Sequence, residues 1–289
     1  MTGAGSKRVV ILGDIGGQFD AFEKVLRELG IDPSDPVLPD GMTLIQVGDI
    51  LRVGGAFPEL DNSECVALAD ALIRVNPHRY IQLVGNHEVA VLGGRGNYLW
   101  GEQAELDPIV GDWWARGLMK VAAVIRHRDR QILVTHAGLT IGLWKSLGAP
   151  TAVGAARLLN QHVTGDINNL IMPGQLINGV PSLSADPVNA LAGTELLPGW
   201  LAYGSPGFDQ IHGHSTAWAW QDDGWYGNPL EQIRQNSIVD HATRRYCTLI
   251  DASANASEST ITCVDWKYLI DHDTRTWPLL SFEDAAVIA

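Results

Sequence analysis

Short apolar runs rich in β-branched residues recur along the first half of the chain, each ending in a turn signal. They are Val9–Leu12, Thr43–Val47, Tyr80–Val84, Val121–Ile125 and Gln131–Thr135. Later runs at Ser237–Val239, Tyr246–Ile250 and Ile261–Val264 read as strands in the same way. Two helical stripes lie between the first three runs. Phe22, Val25, Leu26 and Leu29 repeat at helical spacing until Gly30 and Pro33 end the pattern. Val66, Ala69, Leu72 and Ile73 form the second stripe, entered through Asn62-Ser63 and closed by Asn76-Pro77. This alternation predicts βαβ units in an α/β fold. Only His127-Arg128-Asp129-Arg130 separates the Val121 and Gln131 runs, which is hairpin length, and the second half is strand-rich, so the sheet is expected to be mixed. From about Gly165 to Phe208 the periodicity fades in a stretch rich in Gly, Pro, Asn and Leu. A single domain, 1–289, with a lid or binding insertion at about 140–208, is the expectation.

The turns that follow the runs carry the candidate chemistry. Gly13-Asp14 follows the first run, Gly48-Asp49 the second, and Gly85-Asn86-His87-Glu88 the third. His136-Ala137-Gly138 follows Thr135, and Gln210-Ile211-His212 leads into Gly213-His214. Five strand exits thus present a side chain of metal-ligating type, four of them directly after a glycine. In open α/β sheets ligands bind beyond the carboxyl ends of strands, and a preceding glycine lets the backbone turn sharply and approach an ion. Two Asp, one Asn and two His form an oxygen and nitrogen donor set suited to Mn, Fe or Zn, and less well to Mg. Singly, each is an ordinary turn or core residue; together they occupy one structural position five times. His78, His127, His162 and His272 stand in polar or helix-end contexts and read as surface or structural, and Asp240-His241 reads as a turn. Ile15 occupies the place of the second glycine in a dinucleotide-binding turn, and no G-x-x-x-x-G-K-[ST] occurs.

GDIGGQF at Gly13–Phe19, GDILRVG at Gly48–Gly54, GNHE at Gly85–Glu88, THAGL at Thr135–Leu139 and HGHS at His212–Ser215 form an ordered series. It resembles that of the calcineurin-like metallophosphoesterases, particularly the branch of serine/threonine protein phosphatases and symmetrical diadenosine tetraphosphatases. The resemblance implies an α/β, α+β-like architecture, a mixed β-sheet sandwich flanked by helices. It also implies two divalent metal ions, Mn, Fe, Zn or Mg, that activate water for in-line attack on a phosphoester. In the family pattern Asp49 bridges the metals, Asn86, His136 and His214 complete the second metal site, and Asp14 serves the first. His87 is implied to protonate the leaving group or stabilise charge there, helped by Glu88. The implied activity is that of a metal-dependent phosphoester hydrolase whose substrate is a phosphorylated small molecule, a nucleotide or a phosphoprotein.

Two motifs depart from the family pattern. Gly16 stands where GDxHG has its His, which removes one ligand from the first metal. In the second motif Arg52 replaces the Asp that supports the catalytic His, and Val53 replaces the phosphate-gripping Arg. Two readings follow. In the first the enzyme is active: Asp14 and Asp49 hold the first metal with water and substrate filling its shell, and Arg52 either reaches the phosphate or is a solvated loop charge. Gln18, Asp20, His212 or His241 then stands in for the missing ligand. In the second the first site is weak or empty, and the protein is a weak or inactive relative that binds a phosphorylated ligand. The presence of Asp14, GNHE, HAG and HGHS together favours the first.

A net charge of −13 opposes nonspecific binding to nucleic acid or to an anionic membrane surface. No stretch reaches the roughly 18 apolar residues of a membrane span. The segment MTGAGSKRVVILG lacks the length and cleavage site of a signal peptide, and Cys65, Cys247 and Cys263 fit neither a disulfide framework nor a zinc knuckle. A cytoplasmic protein is therefore expected. Of 10 tryptophans, seven fall within Trp100–Trp114 or Trp200–Trp225, beside the motifs. Most are expected in the core. Trp100, Trp218 and Trp220 are expected to line a pocket and stack on a nucleobase or aryl group.

Overall fold

The computed structural model describes residues 7–52, 62–92, 107–139, 141–148, 150–161, 208–214, 218–219, 224–225, 237–239, 247–251, 259–263 and 279–289. Strands β1 (Arg8–Leu12), β2 (Met42–Gln46), β3 (Tyr80–Leu83) and β4 (Met119–Lys120) form a parallel row, and β13 (Leu279–Glu283) pairs antiparallel with β1. A second sheet has the order β10 (Ser237–Val239), β11 (Cys247–Asp251), β12 (Ser259–Cys263), β7 (Asp209–His212), β6 (Arg130–Thr135), β5 (Ala122–His127), β14 (Ala285–Val287). Within it β12, β7 and β6 run parallel and the remaining pairs antiparallel. A two-stranded ribbon, β8 (Trp218–Ala219) with β9 (Gly224–Trp225), stands apart.

The apolar runs are continuous because both faces of these strands are covered. On β1, Val9 and Ile11 pack with Ile125, Ile132, Val134 and Ile211 between the sheets. Val10 and Leu12 belong to the other apolar cluster. That cluster includes Phe22, Val25 and Leu26 of α1 (Phe19–Glu28) and Val66, Ala69 and Leu72 of α2 (Asn62–Val75). Both predicted helices thus form where their stripes fall. The β5–β6 hairpin also forms, turning at Arg128, whose φ is 57°.

The sequence did not disclose α3 (Asn86–Val91), α4 (Asp107–Ala115), α5 (Ile141–Ser146) or α6 (Ala152–Gln161). Helix α6 lies between the parallel strands β6 and β7, and its Asn160 accepts the N–H groups of Val121 and Ala122 at 2.9 and 3.1 Å, pinning it to the start of β5. Helices α5 and α6 therefore fill the first part of the stretch expected to be an insertion; residues 162–207 lie outside the described residues. Trp113 of α4 is fully buried and donates to Asp70 of α2 at 3.0 Å, while Trp144 donates to the Pro150 carbonyl at 2.8 Å. These two tryptophans are packing residues, as expected for most. Trp100 and Trp220 lie outside the described residues. No helix among the described residues is long and apolar enough to cross a membrane.

Candidate metal centre

Three of the glycines that precede candidate ligands, Gly48, Gly85 and Gly213, are required by space. A Cβ on Gly85 would stand 2.2 Å from Asp49 Oδ1, one on Gly213 2.1 Å from Asp14 Oδ1, and one on Gly48 2.7 Å from the Gly85 nitrogen. The turns of both sheets are thus pressed together at their strand exits. Asp49 and His214 take positive φ values, 54° and 64°, a conformation rare outside glycine that clusters at functional sites.

His136 sets the centre of the cluster. Its Nδ1 lies 2.9 Å from the Val47 carbonyl, which only accepts, so Nδ1 donates and Nε2 presents its lone pair. Around that Nε2 stand Asn86 Oδ1 at 3.1 Å, His214 Nδ1 at 3.2 Å and Asp49 Oδ1 at 3.5 Å. With this orientation of Asn86, only the His214 ring has a proton to offer among four lone-pair atoms. A divalent cation fits such a set: the ligating atoms of Asp49, His136 and His214 all lie within 4.8 Å of one another. Burial works against the Asp49 charge, but the His87, His136 and His214 rings, when charged, outweigh it and hold the carboxyl at about 2.

Glu88 has no exposed surface, and its two oxygens take four backbone N–H groups: Gly85 at 2.7 Å, Asp49 at 2.8 Å, Ile50 at 2.9 Å and Leu51 at 3.3 Å. Burial, then the Asp49 charge, push its carboxyl up to about 8 against the pull of those donors. A proton on either oxygen would have to displace an N–H, so this geometry holds the ionised form. The hydrogen-bonded path from Glu88 to His87 runs through the backbone. Glu88 holds the Leu51 N–H, and the Leu51 carbonyl accepts from His87 Nδ1 at 2.7 Å. Asp49 accepts the His87 N–H at 3.0 Å and lies 3.4 Å from its Nδ1.

The other half of the centre is thinner. Asp14 is buried, and its two oxygens lie 3.2 and 3.1 Å from the His214 N–H that they accept. Gly16, at φ 60°, offers no side chain, and the N–H groups of Ile15 and Gly16 are spent on the Asp49 carbonyl at 2.9 and 2.7 Å. Gly17 N–H goes to the Ile50 carbonyl at 2.8 Å, so this glycine-rich turn is not a phosphate cradle. Arg52 is half-buried, its backbone tied to the Asn62 amide at 2.8 and 2.9 Å. Of the residues considered as replacements for the missing His, Gln18 is half-buried ahead of α1 and Asp20 is exposed in its first turn. His212 is buried with Nδ1 on the Gly213 carbonyl at 2.7 Å, and burial holds its ring down at about 4. Val53 and His241 lie outside the described residues.

Sequence reasoning missed a buried polar row formed by Tyr80, Gln82 and Gln46. Its signal was two glutamines inside strands that are apolar on both faces.

No protein-family profile and no curated protein matches the chain. Among solved structures it is similar to the cold-active protein-tyrosine phosphatase of a psychrophile, Shewanella sp.. The identity is 18% and the TM-score 0.53, over 96% of this chain and 75% of that one. A second structure of a cold-active protein tyrosine phosphatase gives 17% and 0.50 over 96% and 74%. A protein serine/threonine phosphatase from Saccharomyces cerevisiae overlaps 48% of this chain and 42% of its own, at 21% identity and a TM-score of 0.34. At such identities the likeness speaks for the fold alone, a helix-flanked double sheet of the kind that the motif series implies.

Proposed function

We propose that this chain is a metal-dependent phosphoester hydrolase. The reading is carried by the convergence of Asn86, His214 and Asp49 within 3.1–3.5 Å of the lone pair on His136 Nε2. Asp49, Asn86, His136 and His214 would hold one divalent ion, Mn, Fe, Zn or Mg, and Asp14 with Asp49 a second. When bound, such ions lower the pKa of a water toward about 7 and neutralise charge on phosphoryl oxygens. The chain's own groups then have distinct tasks. Val47 and Glu88 orient ligands through the backbone, and the Leu51 carbonyl keeps one His87 proton on Nδ1. The proton that an imidazolium at His87 gives to a leaving oxygen therefore leaves from Nε2, a contribution of about 10²–10⁴ to rate. Arg52 is the candidate grip on a phosphoryl oxygen, and Glu88 is a positioning residue. The substrate class is a phosphorylated small molecule, nucleotide or phosphoprotein.

The deciding experiment pairs metal analysis of the purified chain with hydrolysis of an aryl phosphate, with and without added Mn²⁺. Bound metal with Mn²⁺-dependent turnover is the expected result. Gly16 favours one alternative, a chain that holds a single metal and binds a phosphorylated ligand with little turnover. Metal binding without hydrolysis across a phosphoester panel would establish that alternative, and absence of metal binding would overturn both.

A further inference from the structure

Gln46 and Gln82 lie directly opposite each other on the parallel strands β2 and β3, and neither has exposed surface. A buried amide needs partners for two donor hydrogens and a carbonyl oxygen, and an unpaired one costs roughly 1–3 kcal/mol. Gln46 has them all. Its Oε1 accepts the Gly48 N–H at 2.8 Å and the Gln82 amide, and its Nε2 donates to the Gly48 carbonyl at 2.7 Å and to the Gly13 carbonyl at 3.2 Å. The direction of the row is fixed from the backbone: the Gly48 N–H only donates, so Gln46 turns its oxygen there and Gln82 turns its nitrogen toward Gln46. The remaining Gln82 oxygen accepts from the Tyr80 hydroxyl at 2.8 Å, and its Nε2 also reaches the Leu83 carbonyl at 2.8 Å.

Gly13 and Gly48 are the residues immediately before Asp14 and Asp49. Gln46 is the single side chain that bonds both of these turns among the described hydrogen bonds. We infer that Gln46 is a positioning residue that sets the spacing of the Asp14 and Asp49 carboxylates, with Gln82 and Tyr80 fixing the orientation of its amide. The inference rests on the metal-binding reading above. It matters most for the thinner half of the centre, where Gly16 supplies no side chain and cation affinity depends on how well two carboxylates are held in place. Residues one step behind metal ligands typically change metal affinity by 10–100-fold when removed.

The test is Mn²⁺ titration by calorimetry on the full chain, alongside thermal melting, for the native sequence, Gln46→Met and Gln82→Met. Both variants lose buried hydrogen bonds and melt earlier. Gln46→Met is expected to weaken the lower-affinity Mn²⁺ by about 10–100-fold. Gln82→Met, which leaves the Gln46 bonds to both turns in place, is expected to lose only a small fraction of that. Equal affinities in the two variants would overturn the positioning role while leaving the metal reading intact; a native chain that binds no Mn²⁺ would overturn both. Should Gln46→Met fail to fold, Gln46→Glu keeps the shape and the acceptor for the Gly48 N–H but drops both donors. Its added charge attracts cations, so weaker binding there is the stricter support and unchanged or tighter binding is the refutation.

Discussion

The two halves of the candidate centre differ in how many strand exits feed them. Around His136 Nε2, the first sheet contributes Asp49 after β2 and Asn86 after β3, and the second contributes His136 after β6 and His214 after β7. All four of those strands run in parallel rows, so their carboxyl ends open on the same side. Asp14 follows β1, whose outer neighbour is the antiparallel β13. There Leu12 sits beside Leu279, the start of a strand, where a parallel neighbour would have offered another exit. Donor density thus follows topology, and Gly16, which stands where the resembled motif has a His, falls on the side that the fold supplies least.

The largest effect expected from breaking this contrast is in the dense half. His136→Ala removes the atom on which the cluster is centred, and aryl phosphate turnover in Mn²⁺ should fall by more than the roughly 10–100-fold seen for groups one step behind a ligand. A fall no greater than that of a change at Asp14 would put the chemistry in the other half. Glu88→Ala strikes both halves at once. Each N–H left without its partner costs about 1–3 kcal/mol, so urea denaturation should show a loss of at least about 3 kcal/mol. A smaller loss would mean that water or neighbouring carbonyls take over the four donors.

Acid separates the halves differently. His212 ends β7 and is held neutral by burial, at about 4 against an ordinary 6.5. The unfolded chain therefore takes up this proton first as pH falls below about 6.5. The stability that His212 contributes is complete above that pH and is lost between about 6.5 and 4, with an upper size on the order of 3 kcal/mol. Urea midpoints at both ends of that window should differ more for the native chain than for His212→Phe; equal slopes would refute the assignment. The smallest effect is expected from Gly16→His. At φ 60° a side chain costs about 1–2 kcal/mol of stability, yet the weaker Mn²⁺ should bind more tightly, which the same titration reads. No gain in affinity would show that another group already occupies that corner.

Much of this layout is legible in the sequence because a strand exit is a local event. A run of Val, Ile and Leu closed by Gly and a ligand-type residue needs no distant information, and Asp14, Asp49, Asn86 and His214 lie at such exits, with His136 directly after the Thr135 that ends its strand. The α1 and α2 stripes are local for the same reason. What escapes is whatever depends on pairing across the fold. The Leu51 carbonyl that orients His87 is backbone, which no residue pattern marks. The resemblance implies that Glu88 helps His87, yet its oxygens turn to four N–H groups, three of them from a turn 37 to 39 positions away. Gln46 and Gln82 look like the polar face of ordinary strands until the register sets them opposite each other under helices.

The β13–β14 segment carries a consequence for how the molecule is made. Within nine residues the chain pairs with β1 in one sheet, reverses hand at Asp284 with φ 53°, and pairs with β5 in the other. Val9 meets Phe282, and Ile125 meets Val287, so each sheet draws a strand from a segment far away in sequence. Contacts of that span slow folding, because chain closure must precede any gain from them. During synthesis at about 5–20 residues per second, β1 waits on the order of ten seconds or more for its partner. Until then both sheets have an open edge on the same side, and their final closure is a single, late event.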